Sequence, residues 1–325
     1  MTGPIVFSCS YVPPEWIAAH GMTPSRRTPD RPAPDLAGGA GLCPFVRDWI
    51  DALARDPEPA GFVFTSLCDQ MRRGCEWLGD TDPRPRFLLS LPATWQTPAG
   101  HRLYQAELRR LGRFLVSLGG EPPSSDRLAE TMLRFGLARR ALRDRRATLS
   151  ARDWIEQVRT FHATGQLPPE PAAPADRERG VPLALVGGEL PAHHDWLYDA
   201  IAEAGGRVAL EATDTGLRGL PHPYDRRAVR EDPFAELAAA WFGSIEHPFR
   251  RPNTGFFQQL ARDLPASGAA GAILLRTPWC DIWAAEVPRI KQWLDLPALI
   301  LDLDDDPRAR ARGEGRVQAF LEMLA

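Results

Sequence analysis

Seven short apolar runs constrain this chain more than any other feature, because most are continuous rather than alternating and most are followed by an amphipathic helical pattern. The runs are residues 4–8, 61–66, 86–91, 182–187, 207–211, 271–276 and 298–303. A strand that is apolar on both faces needs cover on both faces, the condition of a parallel sheet layered between helices. Helical spacing follows several of them. Phe45, Trp49, Ile50 and Leu53 share one face of a helix over 44–54, and further helices are expected from Asp69, over 193–204, 232–243, 281–293 and 314–324. The fold class read from this pattern is α/β, with two doubly wound parallel-sheet domains of the Rossmann or flavodoxin-like kind.

Between the two βα series lies a stretch of different character. Residues 101–163 read as helix throughout, with Leu108, Leu111, Leu115 and Leu118 at helical spacing, a second helix from Asp126 to Arg145, and a third opening at Ser150 and Asp153. QLPPEPAAPADRERG (166–180) has no apolar periodicity and is rich in proline, so it reads as a linker. The expected organisation is an N-terminal α/β domain over 1–165 with a helical extension from about 100, a linker over 166–180, and a C-terminal α/β domain over 181–325. No repeat of solenoid period is present, and the sequence does not prove that the two halves are structural duplicates.

Composition excludes some functions. A net charge of -3 lacks the basic surface of a general nucleic-acid binder. No run of 18 apolar residues exists, so no membrane-spanning helix is expected. The opening MTGPIVFSCSYVPPE has no basic segment followed by an apolar one, so no secretory signal is expected and the expected location is the cytoplasm. Five cysteines, an odd count without an export signal, read as reduced thiols or metal ligands.

Their positions are informative. Ligands of open parallel sheets bind beyond the carboxyl ends of strands. Cys68 and Cys280 each follow a strand and precede a helix, each with aspartate next (Asp69, Asp281), and Cys43 precedes Pro44, a residue favoured in the first turn of a helix. Three cysteines therefore sit at expected helix N-termini, where the dipole favours thiolate. A single free cysteine is most often a small buried hydrophobe, and no CxxC pair is present, so spacing alone leaves a shared metal site open. Cys75 lies two turns beyond Cys68, roughly 10 Å along the helix, and reads as a packed residue. Cys9 follows the first strand and is a candidate fourth ligand or pocket residue. Gly187-Gly188 reads as a plain turn, His193-His194 as a solvated cap, and the run Asp302, Asp304, Asp305, Asp306 as a solvated loop. No GxSxG elbow is present.

Several segments, taken in order, resemble the 2-hydroxyacyl-CoA dehydratase and benzoyl-CoA reductase family. SCSYVPPEWIAAHGMTPSR (8–26) is similar to its opening, LCPFVRDWID (42–51) and GFVFTSLCDQMRR (61–73) to its first two cysteine segments, and GAILLRTPWCDIWAAEVPRIKQWLDLPALILDLD (271–304) to the third. Residues 183–213 and 315–324 resemble the second-domain opening and the C-terminal signature. The resemblance implies that Cys43, Cys68 and Cys280 hold a [4Fe-4S] cluster between two α/β domains. It implies a homologous second subunit, an ATP-dependent activator protein that injects a low-potential electron, and an acyl-CoA substrate that is dehydrated or reduced. The alternative is an electron-transfer or scaffold iron–sulfur protein of the same superfamily that binds no acyl-CoA.

Overall fold

Eight strands, all paired in parallel, build two separate sheets in a computed structural model that describes residues 3–34, 41–170 and 179–325. The first half runs β1 (Ile5–Phe7), α1 (Pro14–Ala19), β2 (Pro24–Arg26), α2 (Pro44–Arg55), β3 (Gly61–Thr65), α3 (Asp69–Thr81) and β4 (Arg86–Leu89). Three long helices follow: α4 (Pro98–Ser117), α5 (Ser125–Arg145) and α6 (Ala151–Thr164). The second half runs β5 (Val181–Val186), α7 (Trp196–Glu203), β6 (Gly206–Ala212), α8 (Arg226–Glu231), α9 (Pro233–Ser244), α10 (Thr254–Ser267), β7 (Gly271–Arg276), α11 (Asp281–Trp293), β8 (Ala298–Asp302) and α12 (Pro307–Leu324). The sheet orders are β2-β1-β3-β4 and β6-β5-β7-β8. Each half is thus wound the same way, with its first and third strands adjacent at the centre.

The apolar runs form strands because both faces of each sheet are covered. In the first sheet Val6, Phe62 and Phe64 meet Trp49 and Ile50 of α2 and Leu78 of α3. Ile5, Phe7 and Val63 point the other way, onto Ile17 of α1 and Leu108 of α4. In the second sheet Leu183, Leu185 and Ile273 meet α6, α7 and α12, while Ala184, Val186 and Leu274 meet α10 and α11. This is the two-sided burial that continuous apolar runs require.

The cores also exchange helices along the chain. Trp154, Val158 and Phe161 of α6 lie against the second sheet, and Leu237, Trp241 and Phe242 of α9 lie in the core of the first. The linker expected over 166–180 falls largely on residues 171–178, which lie outside the described residues. Four elements had no apolar run to announce them. β2 is the three-residue Pro-Ser-Arg, buried through polar contacts: Ser25 Oγ donates to the Ala163 carbonyl at 2.7 Å, and Arg26 Nε to that of Ser8 at 2.7 Å. The short helices α1 and α8 and the helix α10 complete the list. None of the helices is long and apolar enough to cross a membrane, among the described residues.

Candidate functional site

In a sheet of this winding the crevice opens where the chain leaves neighbouring central strands in opposite directions. Here there are two such points, between β1 and β3 and between β5 and β7, and they face one another. The loops beyond all four strands line one cleft of about 680 Å³, its open mouth included. Cys9 comes from beyond β1, Cys68 from beyond β3, Gly188 and Glu189 from beyond β5, and Cys280 from beyond β7, with Cys43 at the start of α2.

Cys43, Cys68 and Cys280 each occupy the extended residue that precedes the first turn of a helix: α2, α3 and α11 respectively. The structure thus brings all three onto one cleft. The Cys43 N–H donates to Gln70 Oε1 at 2.8 Å, which ties the start of α2 to α3. The thiols are not acidified, contrary to what their helix starts suggest. Burial pushes Cys43 up to about 12 and Cys280 up to about 11, and raises Cys68 as well. The amides of Val46, of Gln70 and Met71, and of Ile282 and Trp283 work against that rise for Cys43, Cys68 and Cys280 respectively, without overcoming it. Cys68 and Cys280 also raise Cys43, and Cys68 raises Cys280, so the sulfurs are near enough to oppose one another's ionisation.

This donor set suits a multinuclear cationic centre. Three buried thiols around a cleft can become thiolates together only if positive charge enters among them. They are not gathered as ligands of a single ion are. Among the described residues, the triple of candidate ligand atoms within 4.8 Å of one another is His193, His194 and Asp305. A cluster, which presents a different iron to each thiolate, asks for the wider spread.

The model of the 2-hydroxyglutaryl-CoA dehydratase D-component family matches residues 9–324. The chain belongs to this family. It is a component of the 2-hydroxyacyl-CoA dehydratase type, as the resemblance of its cysteine segments implied. No individually curated protein matches it.

Within this dehydratase-family chain the other two cysteines part ways. Cys9 lies on the cleft, buried, with the Tyr11 N–H 3.5 Å from Sγ, and burial pushes it up to about 12. The charges it feels are those of Arg26 and Glu189. Cys75 is buried away from the cleft among Val46, Ile50 and Leu78, a packed residue as its spacing suggested. Gly187 and Gly188 serve close approach: a Cβ on Gly187 would stand 2.5 Å from Leu275 Cβ, and one on Gly188 2.8 Å from Trp283 Nε1.

The polar wall of the cleft had no motif to announce it. His247 Nδ1 accepts from the Phe249 N–H at 2.9 Å, so Nε2 carries the proton it shares with Asp214 Oδ2 at 3.0 Å. Arg218 Nε donates to Asp214 Oδ1 at 2.8 Å. Burial alone would raise the Asp214 carboxyl, but His247 and Arg218 hold it well below the usual carboxylate range. Glu189 accepts from Arg26 at 2.7 Å and from the Thr215 hydroxyl at 2.8 Å. Asp214 stands two residues beyond the end of β6, so the carboxyl-end rule applied to that strand would have found it; nothing local marks His247.

The structure corrects the reading of two other segments. His193 and His194 are not a solvated cap: their side chains are 10% and 6% exposed and face Asp305. The acid run is divided. Asp302 pairs with Arg276, Asp306 caps α12, and Asp304 is exposed, whereas Asp305 points inward.

Proposed function

We propose that this chain is the iron–sulfur component of its dehydratase, with Cys43, Cys68 and Cys280 holding a [4Fe-4S] cluster in the cleft between the two sheets. The observation that carries this reading is the convergence of three helix-start thiols, from both halves of the chain, on one cleft. Such a cluster supplies a low-potential electron, and an iron with an open position polarises an oxygen ligand. The chain's part is to hold and to shield. Phe45, Leu67, Met71 and Trp283 give the cleft an apolar wall that excludes water and lowers the local dielectric. Beside Trp283 the Asp214–His247 pair keeps one proton fixed at Nε2. A homologous second subunit, an ATP-dependent activator and an acyl-CoA substrate complete this reading, and family membership supports the first of them.

The test is iron and acid-labile sulfide per chain, measured anaerobically after reconstitution. About four irons are expected, with a large loss in each of C43A, C68A and C280A and none in C75A. A full complement in C280A, or no iron in the wild-type chain, overturns the assignment. Acyl-CoA binding in the presence of the partner subunit separates a substrate-holding component from one that only relays electrons.

A further inference from the structure

Outside the thiol cleft, one group of side chains has the chemistry of a second metal site. His193 and His194 lie in the short turn at 192–194 and Asp305 in the loop between β8 and α12. His193 Nε2 is 3.1 Å from Asp305 Oδ1 and 3.7 Å from Asp48 Oδ2, and His194 Nε2 is 3.6 Å from the same Asp305 oxygen. Asp48 belongs to α2, in the first half of the chain, so the group bridges the two halves. The Asp48 side chain is 1% exposed and that of Asp305 10%.

We propose that His193, His194, Asp305 and Asp48 bind one divalent transition-metal ion of the zinc class, which clasps α2 to the second half of the chain.

Three features support this. Two imidazoles with two carboxylates, and no thiolate, are a donor set for zinc and its neighbours rather than for calcium or magnesium. Both carboxylates are already oriented. Arg47 donates to Asp305 Oδ2 at 2.6 Å and the Ala33 N–H donates to Asp48 Oδ1 at 2.9 Å, which leaves the other oxygen of each acid turned toward His193. Supporting bonds of this kind fix metal-binding carboxylates. The charge also falls short, since among the described residues Arg47 is the one arginine in contact with these two carboxylates. One opposing contact is surrendered. Trp196 Nε1 lies 3.4 Å from His194 Nδ1, at the long limit of a hydrogen bond, and a metal on Nε2 moves the ring proton to Nδ1.

The competing occupant is a proton on His193, which would pair with both acids unaided. To separate them, the full chain is stripped with chelator under anaerobic conditions and titrated with Co(II). One Co(II) per chain is expected, with ligand-field bands free of thiolate charge transfer. Binding persists in C43A and weakens by at least about 10-fold in H193A and in D305N. Zn(II) at about 100 times its dissociation constant raises the wild-type Tm by about 4 °C and that of H193A by no more than about 2 °C. Two results overturn the proposal: no Co(II) bound, or Co(II) bound only with charge-transfer bands that vanish in C43A. Circular dichroism checks that the variants fold; should either fail, H194Q and D48N are read in the same way. The cluster assignment stands or falls separately, on iron content.

Discussion

Replacing Arg139 with methionine tests how firmly the first half's opening segment is held. Glu15, on α1, is wholly buried, and the Arg139 side chain on α5 is 3% exposed; the two form an ion pair. The Tyr224 hydroxyl donates to the same Glu15 oxygen at 2.6 Å and accepts from Trp241 Nε1 at 2.9 Å, and the guanidinium lies 5.1 Å from the Tyr224 ring centre. In R139M the carboxylate keeps only the tyrosine. Breaking a buried pair from one side costs about 3–5 kcal/mol, and the surviving hydrogen bond places this case at the lower end. Because α6 lies on the second sheet and α9 on the first, neither half unfolds without exposing the other's core, so one transition is expected. For a chain of this size the loss is a fall in Tm of about 4–7 °C. The assay is urea and thermal unfolding of wild type, R139M, E15Q and E15Q/R139M. Each single variant loses several kcal/mol, and the double variant recovers most of it, because no unpaired charge is then buried. A loss below about 1 kcal/mol in R139M, or a double variant as unstable as the two singles combined, refutes the reasoning.

Two further outcomes follow from local structure. Burial first, and His193 second, hold His194 down to about 4, whereas an unfolded imidazole titrates near 6.5. The unfolded chain therefore takes up this proton first as pH falls. Metal-free protein should lose up to about 3 kcal/mol between pH 6.5 and 4, and H194N should flatten that slope in chemical denaturation; an unchanged slope counts against the burial. Trp279, beside Cys280, is 65% exposed and holds φ at 62°, the left-handed region that costs an ordinary residue about 1–2 kcal/mol. W279G should therefore match or exceed wild-type Tm, whereas W279P, with φ locked near −65°, should unfold more readily and expose Cys280 to alkylation; equal Tm in all three would remove the strain argument.

The sequence showed what depended on runs and ends. Residues 61–66, 182–187 and 271–276 were legible because two-sided burial leaves an unbroken apolar record, Cys68 and Cys280 because a strand, a short loop and a helical face bracket each, and Cys43 because Pro44 and a helical face follow it. β2 was not legible, since Ser25 and Arg26 are buried by hydrogen bonds whose partners lie far along the chain. The exchange of α6 and α9 between cores left no local trace, because an amphipathic face does not name the surface that covers it. The acidification expected at helix starts failed for a related reason: the dipole is visible in sequence, the depth of burial is not. Depth also reversed the reading of His193-His194, polar neighbours covered in part by the β8–α12 loop, more than 100 residues away, and by Asp48 of α2.

The common winding of the halves accounts for the arrangement of the thiols. Cys68 and Cys280 follow the third strand of their respective sheets, and both stand in the pattern Thr-x-x-Cys-Asp, residues 65–69 and 277–281. They are equivalent positions in two similarly wound units that meet at their carboxyl ends. Cys43 precedes the helix that leads into the third strand of the first half. Its counterpart in the second half is Asn253, at the start of α10, which is not among the residues lining the cleft. A fully duplicated set would bring four thiols; this one brings three, two related by the shared winding and one with no matching thiol. Asp214 and His247 line the same cleft, so a centre held by the three sulfurs would have near it a polar pair that can meet an oxygen or a proton rather than a fourth helix-start sulfur.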